Sequence, residues 1–460
     1  MISVKTLKKN ALSMFLAGSL VFAQTSGMAM AQGPVAPDKP IAKNIIVMIS
    51  DGCGYNQIDA ASLYQYGKTG VQPYEHFPVK YGMSTYSVGS YNPQKAWGSF
   101  DYVKEGATDS AAAATAMSTG VKTYDAAIGV DNNKQPLKNV LERAEELGKA
   151  TGVITSVQFS HATPAGFVAH NESRNNYSEI ANEMLQKSSA DVIMSAGHPL
   201  YDNDGKKASK TNYKYVGGES TWQGLLDGSL QVADADGDGK ADPWTLIQER
   251  KDFQALMSGD TPTRVCGVAQ VASTLQQSRS GDDKANPYVV PLNETVPMLE
   301  EMTKGALNVL DNDKDGFFLM VEGGAIDWAG HANQSGREIE EEIDFNKSVE
   351  SVINWVEKNS NWGETLLIVT GDHECGYLTG LGSGQTAGSQ PVWNPLKNNG
   401  AGNLPGMQWN SPEHTNSLIP FFAKGDASRL FKSYADEKDP VRGSYIDNTE
   451  IAKVIFDIME

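Results

Sequence analysis

The sequence predicts an α/β fold: a doubly wound, mostly parallel central sheet with helices on both faces, interrupted by loop insertions. Three observations carry this. The runs at 45–49, 152–157, 191–195, 317–321 and 365–369 are continuously apolar, as parallel strands covered on both faces require. Stretches with a helical apolar period lie between them, at 137–147, 296–310 and 338–358. Finally, Asp, Glu, His and Thr gather just after the apolar runs, where open α/β sheets bind their ligands.

Size and composition agree with one large core. The chain has 460 residues, 40% of them hydrophobic, and includes 8 Trp, 17 Tyr and 14 Phe. So many aromatics exclude a disordered chain. The formal charge of −18 opposes the phosphate backbone, so no nucleic-acid-binding role is expected. Residues 1–31 read as a signal peptide: Lys5, Lys8 and Lys9 precede an apolar stretch at 11–23, and Ala29-Met30-Ala31 offers a cleavage point after Ala31. That stretch is short for a bilayer. The expectation is therefore a periplasmic or secreted protein, with no stable membrane span after cleavage.

Residues 32–460 are expected to form a single domain, with insertions at about 198–262 and 376–413, where Gly, Asp, Asn, Pro and Lys break the strand–helix rhythm. In the helix expected at 338–358, Ile339, Ile343, Val349, Ile353 and Val356 form the apolar stripe, and the acidic run 338–344 reads as its solvated face. Cys53, Cys266 and Cys375 have no C-x-x-C spacing and read as small buried hydrophobes.

The chemistry lies at the strand ends. Asp51-Gly52-Cys53-Gly54 follows the first run, and His161-Ala162-Thr163 the second. Glu322 ends the run at 317–321 and is followed by Asp327-Trp328-Ala329-Gly330-His331; Asp372-His373 follows the last, and His414-Thr415 precedes another apolar run. Four of the seven histidines sit in these segments, interleaved with carboxylates. That mixture points to metal, with imidazole and carboxylate suiting zinc and carboxylate and hydroxyl suiting magnesium. A helical turn from Asp327 would bring Asp327 and His331 to one side. Asp109-Ser110 opens an alanine-rich helix, so Ser110 is expected in the first turn, where free N–H groups favour an anion.

These motifs, in this order, resemble those of the alkaline phosphatases. They are Asp51-Gly-Cys-Gly, Asp109-Ser110-Ala, His161-Ala-Thr163, Glu322, Asp327-Trp328-x-x-His331, Asp372-His373 and His414-Thr415, spanning about residues 44–424. His161 and Trp328 stand at positions that vary in the family, and their pairing resembles a subset of bacterial members. The resemblance implies an exported phosphomonoesterase, a homodimer, acting on small phosphate monoesters through a phosphoserine on Ser110. It implies two Zn2+ and one Mg2+ per chain. One zinc would take Asp327, His331 and His414, the other Asp51, Asp372 and His373. Magnesium would take Asp51, Thr163 and Glu322, with His161 reaching it through water. Arg174 resembles the family's phosphate-binding arginine, whose fork suits two phosphoryl oxygens. Trp328 stands near the substrate where other members carry a basic residue.

Two aspartate-rich loops invite a calcium reading, and with it a rival class, a non-enzymatic calcium-dependent binding protein. Asp311-Asn-Asp313-Lys-Asp315-Gly316 fits the calcium-loop pattern but runs into an apolar strand instead of a helix. Asp234, Asp236 and Asp238, inside the first insertion, form the better Ca2+ turn candidate.

Overall fold

A computed structural model describes residues 42–459. The signal-peptide and cleavage expectations fall outside the described residues. Strands form at β1 (Asn44–Ser50), β2 (Val79–Ser84), β3 (Ala150–Gln158), β4 (Val192–Ala196), β5 (Thr245–Ile247), β6 (Val265–Val268) and β7 (Phe317–Gly323). They continue with β8 (Thr365–Thr370), β9 (Glu374–Cys375), β10 (His414–Thr415), β11 (Ile419–Lys424), β12 (Glu437–Asp439) and β13 (Gly443–Asp447). All but β9 and β10 join one sheet in the order β12-β13-β2-β11-β8-β1-β7-β3-β4-β6-β5. From β8 to β5 every pairing is parallel. The strand β11 runs antiparallel to both its neighbours, β8 and β2.

Burial explains the continuous apolar runs. In β1, Ile45, Val47 and Ile49 pack into one core layer, while Ile46 and Met48 pack into the layer opposite. Helices Ser110–Thr119, Ala162–Val168, Tyr177–Gln186 and Thr449–Ile458 contribute to the first layer. Helices Leu299–Leu310 and Ser335–Asn359 contribute to the second. This is the doubly wound arrangement the sequence predicts. The pattern at 137–147 narrows to a helix at Val140–Glu146, because Asn139 caps it. Its side chain accepts from the Glu142 N–H while Glu142 accepts from the Asn139 N–H.

The expected insertions differ from each other. Segment 198–262 holds the helices Glu219–Asp227 and Arg250–Ala255 and supplies β5, the edge strand opposite β12. Segment 376–413 carries no named helix or strand, only isolated bridges such as Thr379 to Gln408. No described helix is long and apolar enough to cross a membrane. All three cysteines are buried and free, as read from the sequence.

One expectation is overturned. The acidic run on helix Ser335–Asn359 is not a solvated face: Glu338, Glu340, Glu341, Glu342 and Asp344 are all buried. The helix is covered on this side as well, and Glu340, Asp344 and Glu342 find partners there, while both Glu338 oxygens are buried without a hydrogen-bond partner among the described residues. Glu340 pairs with buried Arg279 at 2.7 Å, and Asp344 accepts from the Leu299 N–H. Glu342 accepts from Ser50 Oγ at 2.7 Å, directly behind Asp51. Periodicity counted the acids as polar but could not see what packs over them.

Burial, helped by Asp344 and Glu340, pushes Glu341 up to about 8 from 4.5. A carboxyl raised in this way contributes stability below its unfolded value, and that stability is lost as pH rises through about 8. Every tenfold change in proton affinity between the folded and unfolded chain is worth roughly 1.4 kcal/mol. Glu341→Gln is therefore expected to raise the melting temperature relative to the parent at pH 9 and to match it near pH 4. Thermal unfolding across that range is the check, and a gain independent of pH would refute it.

Candidate active site

The sheet's carboxyl edge gathers the predicted residues. Asp51 follows β1, Glu322 lies within β7, and Asp372 and His373 follow β8. The paired two-residue strands β9 and β10 place His414 opposite Cys375, which fixes His414 beside His373. The two imidazoles stack with centroids 3.6 Å apart. Asp327 and His331 share helix Ala325–His331, one turn apart as spacing suggested.

Three groups of donor atoms result. Around Asp327, His331 Nε2 lies 3.5 Å from Oδ2 and His414 Nε2 lies 3.3 Å from Oδ1, while the two Nε2 atoms are 3.0 Å apart. Backbone carbonyls orient both rings: His331 Nδ1 donates to Pro412 O at 2.6 Å and His414 Nδ1 to Thr108 O at 2.8 Å. Each ring thus turns its Nε2 inward. Around His373 Nε2 lie Asp372 Oδ2 at 3.1 Å, Asp51 Oδ1 at 3.6 Å and Ser110 Oγ at 3.2 Å. In the third group, Thr163 Oγ1 donates to Asp51 Oδ2 at 3.4 Å, and Glu322 accepts from Thr155.

The electrostatics of this cluster call for positive charge. Burial, then Asp372, Asp327 and Glu322, push Asp51 well above the carboxylate range. Burial lifts Glu322 to about 7. Asp327 is also buried, yet His414, His331 and His373 hold it below its ordinary value. Despite burial, Asp327 raises His414 to about 9. Asp51 Oδ1, Asp327 Oδ1 and Asp372 Oδ2 are buried without a hydrogen-bond partner among the described residues. Unpaired buried carboxylate oxygens beside inward-facing imidazole nitrogens form a donor set that fits divalent cations.

Ser110 stands where the sequence put it, as the first residue of helix Ser110–Thr119. Asp109 caps that helix, accepting from the Ala112 N–H at 3.0 Å, while its other oxygen holds Arg174 Nη1 at 3.0 Å. The cap therefore also fixes the arginine beside the serine. The alanine run lets helix Ala162–Val168, which carries Thr163, approach closely: a Cβ on Gly166 would meet Ala114 Cβ at 2.7 Å. His161 and Trp328 face each other with ring centroids 5.4 Å apart. Burial, with Arg174 nearby, lowers His161 to about 3, so its ring is neutral.

Several participants escaped the sequence reading. Cys375 is buried as expected, but its sulfur belongs to the group formed with Asp327, His331 and His414, all donor atoms lying within 4.8 Å. Its place two residues after His373 was the available signal. The orienting carbonyls of Thr108 and Pro412 leave no side-chain trace. In the calcium turn candidate, Asp234 and Asp236 converge with Asp242, whereas Asp238 bonds Lys240. Asp242 thus replaces Asp238 in that cluster.

A helix-borne serine, an arginine and clustered carboxylates and imidazoles at a parallel sheet's edge are the parts of a phosphoryl-transfer enzyme. The family profile described as alkaline phosphatase matches residues 42–403. Alkaline phosphatase 3 of Bacillus subtilis is 31% identical over 448 residues, covering 95% of this chain and 81% of that protein. The Escherichia coli K12 alkaline phosphatase is 33% identical over 356 residues, covering 73% and 70%. The structure of alkaline phosphatase from the Antarctic bacterium TAB5 matches with a TM-score of 0.60 at 25% identity, covering 91% of this chain and 98% of that one. A variant of that enzyme has Mg bound in its M3 site. The chain belongs to the alkaline phosphatase family, and its activity is that of a phosphomonoesterase.

Gly52 shows how tightly the cluster is built. Its φ is +73°, and a Cβ there would lie 2.7 Å from Asp327 Cα. Gly52→Ala should separate Asp51 from Asp327, lowering the bound metal recovered per chain and the activity together. Elemental analysis beside an activity assay checks this; unchanged metal content would contradict it.

Proposed function

We propose that this chain is an exported, metal-dependent alkaline phosphatase that hydrolyses small phosphate monoesters through a phosphoserine on Ser110. The observation that carries the reading is Ser110 Oγ, in the first turn of a buried helix, 3.2 Å from His373 Nε2 and beside the Arg174 clamp. Asp327, His331 and His414 would hold one zinc, and Asp51, Asp372 and His373 the second. Asp51, Thr163 and Glu322 would hold magnesium, with His161 behind it. The Mg held by the TAB5 variant supports a magnesium site in this family. When bound, these ions supply Lewis acidity that polarises phosphoryl oxygens and makes serine and water better nucleophiles.

The chain's own residues set the geometry. Ser110 gives up its hydroxyl proton to solvent and its Oγ attacks phosphorus in line; the P–O bond to the leaving group breaks, and that oxygen departs with the electron pair and takes a proton from solvent. Arg174, held by Asp109, binds two nonbridging oxygens through its fork. Free N–H groups of the Ser110 turn add positive potential where negative charge accumulates. Water, losing a proton, then displaces Ser110 from phosphorus in a second in-line step, and Ser110 Oγ takes a proton back. The basic, apolar and Ala-Met-Ala segments support export to the periplasm or medium, with mature protein starting at Gln32. Residues 32–460 would be one catalytic domain acting as a homodimer, as the family likeness suggests. Ca2+ at Asp234, Asp236 and Asp242 is a peripheral addition.

Two displacements invert phosphorus twice, so a chiral phosphate ester is expected to react with net retention. Phosphopeptide mapping after an acid quench should place label on Ser110. Ser110→Ala should lose it while keeping residual hydrolysis. Label on another residue, or inversion, would overturn the assignment.

Arg174→Ala should weaken inhibition by inorganic phosphate by about 1.5–3 kcal/mol, the value of hydrogen bonds to a charged group, with zinc content unchanged. Steady-state inhibition with elemental analysis is the check. Chelation should abolish activity and lower the melting temperature, and zinc with magnesium should restore both. Full activity in metal-free protein would end the proposal.

A further inference from the structure

Beside the site lies a group of rings of which only His161 has a part in the metal reading above. His161 and Trp328 are joined by Tyr177, 5.3 Å from His161 between centroids, and by Tyr215 at 6.2 Å, stacked. Tyr177 and Tyr215 meet edge to face at 4.9 Å. All four rings are half-buried, so each keeps some surface toward solvent. The group is continuous with the reaction centre. Trp328 directly follows Asp327, and His161 lies two residues before Thr163. The Arg174 guanidinium is close enough to act electrostatically on both His161 and Tyr177.

Tyr215 is held in place by the contacts around it. It lies in the 3-10 turn Lys214–Val216, within segment 198–262. Ser160 Oγ donates to the Tyr215 carbonyl and Ser178 Oγ to the Lys214 carbonyl, both at 3.0 Å. Asn182 Nδ2 donates to the Gly217 carbonyl at 3.1 Å, and Gly217 turns the chain at φ +85°. Lys214 Nζ lies 4.1 Å over the Tyr177 ring, steadying it from the outer side. A turn fastened at three points to keep half-exposed rings beside the arginine is a surface prepared for contact.

We propose that His161, Trp328, Tyr177 and Tyr215 form a platform for the leaving group and that it selects phosphate monoesters bearing a flat aromatic group. This rests on the reading of Arg174 and Ser110 as the phosphoryl site. With phosphorus clamped there, the ester substituent extends over the rings, where an aryl group stacks and a small alkyl group finds little to touch. Segment 198–262 thereby sets specificity, taking no part in bond breaking.

The test uses the metal-loaded enzyme and two competitive inhibitors that share one phosphoryl head, phenylphosphonate and methylphosphonate. The parent is expected to prefer phenylphosphonate by about fivefold or more. That preference should fall toward unity in Tyr215→Leu, which keeps apolar bulk but loses the ring, and should persist in Tyr215→Phe. Tyr215 is half-exposed, so neither change opens the core. Tyr177→Leu supplies an independent second variant. No preference in the parent, or a preference unchanged in both leucine variants, overturns the platform. Failure of both phosphonates and of inorganic phosphate to inhibit the parent would instead overturn the phosphoryl-site reading beneath it.

Discussion

Everything at the carboxyl edge of this sheet answers to one constraint: Asp51, Glu322, Asp327 and Asp372 are buried within reach of one another. Four such carboxylates repel each other and give up their hydration, a cost of several kcal/mol per ion without compensation. The fold meets part of it internally. Gly52 and His373 N–H groups donate to Asp372 Oδ1, Thr155 donates to Glu322, and three imidazoles surround Asp327. Donor atoms of Asp51, Asp327 and His373 lie within 4.8 Å of one another, and buried oxygens of Asp51, Asp327 and Asp372 stay unsatisfied, which is why the cluster reads as a cation site and not as a structural salt-bridge network.

The constraint reaches into the surrounding architecture. Parallel strands deliver acids to one edge because each strand must end there, and a rigid buried sheet holds them against repulsion better than loops could. Behind Asp51, Glu342 takes hydrogen bonds from Ser50 and Tyr74, so the end of β1 is tied to the long helix Ser335–Asn359. The alanine helix that presents Ser110 is equally tied, through Ala114 against Gly166, to the helix that presents Thr163. Ser110 and Thr163 therefore sit on one packed pair of helices.

Most of this was legible in the sequence, for a physical reason. A strand buried on both faces must be apolar throughout, so β1, β3, β7 and β8 announced themselves, and chemistry had to follow them. Asp327 and His331 showed their helical spacing directly. What stayed hidden depended on packing between distant segments. The acids of helix Ser335–Asn359 looked solvated because their partners, Arg279, Ser50 and Tyr74, lie far away in sequence. Cys375 looked inert until β9 and β10 paired it across from His414. The orienting carbonyls of Thr108 and Pro412 belong to the backbone, which every residue shares, so no residue type could reveal them.

That short pairing of β9 with β10 has a consequence for how the protein can diversify. It clamps both ends of segment 376–413 at its base, so His373 and His414 keep their spacing whatever the chain between them does. Closing a longer loop costs only about 0.6 kcal/mol per doubling of its length. The mostly exposed stretch at 381–390 is therefore a graft point: modules can be inserted, trimmed or exchanged there while Pro412 and the candidate site beneath it keep their places.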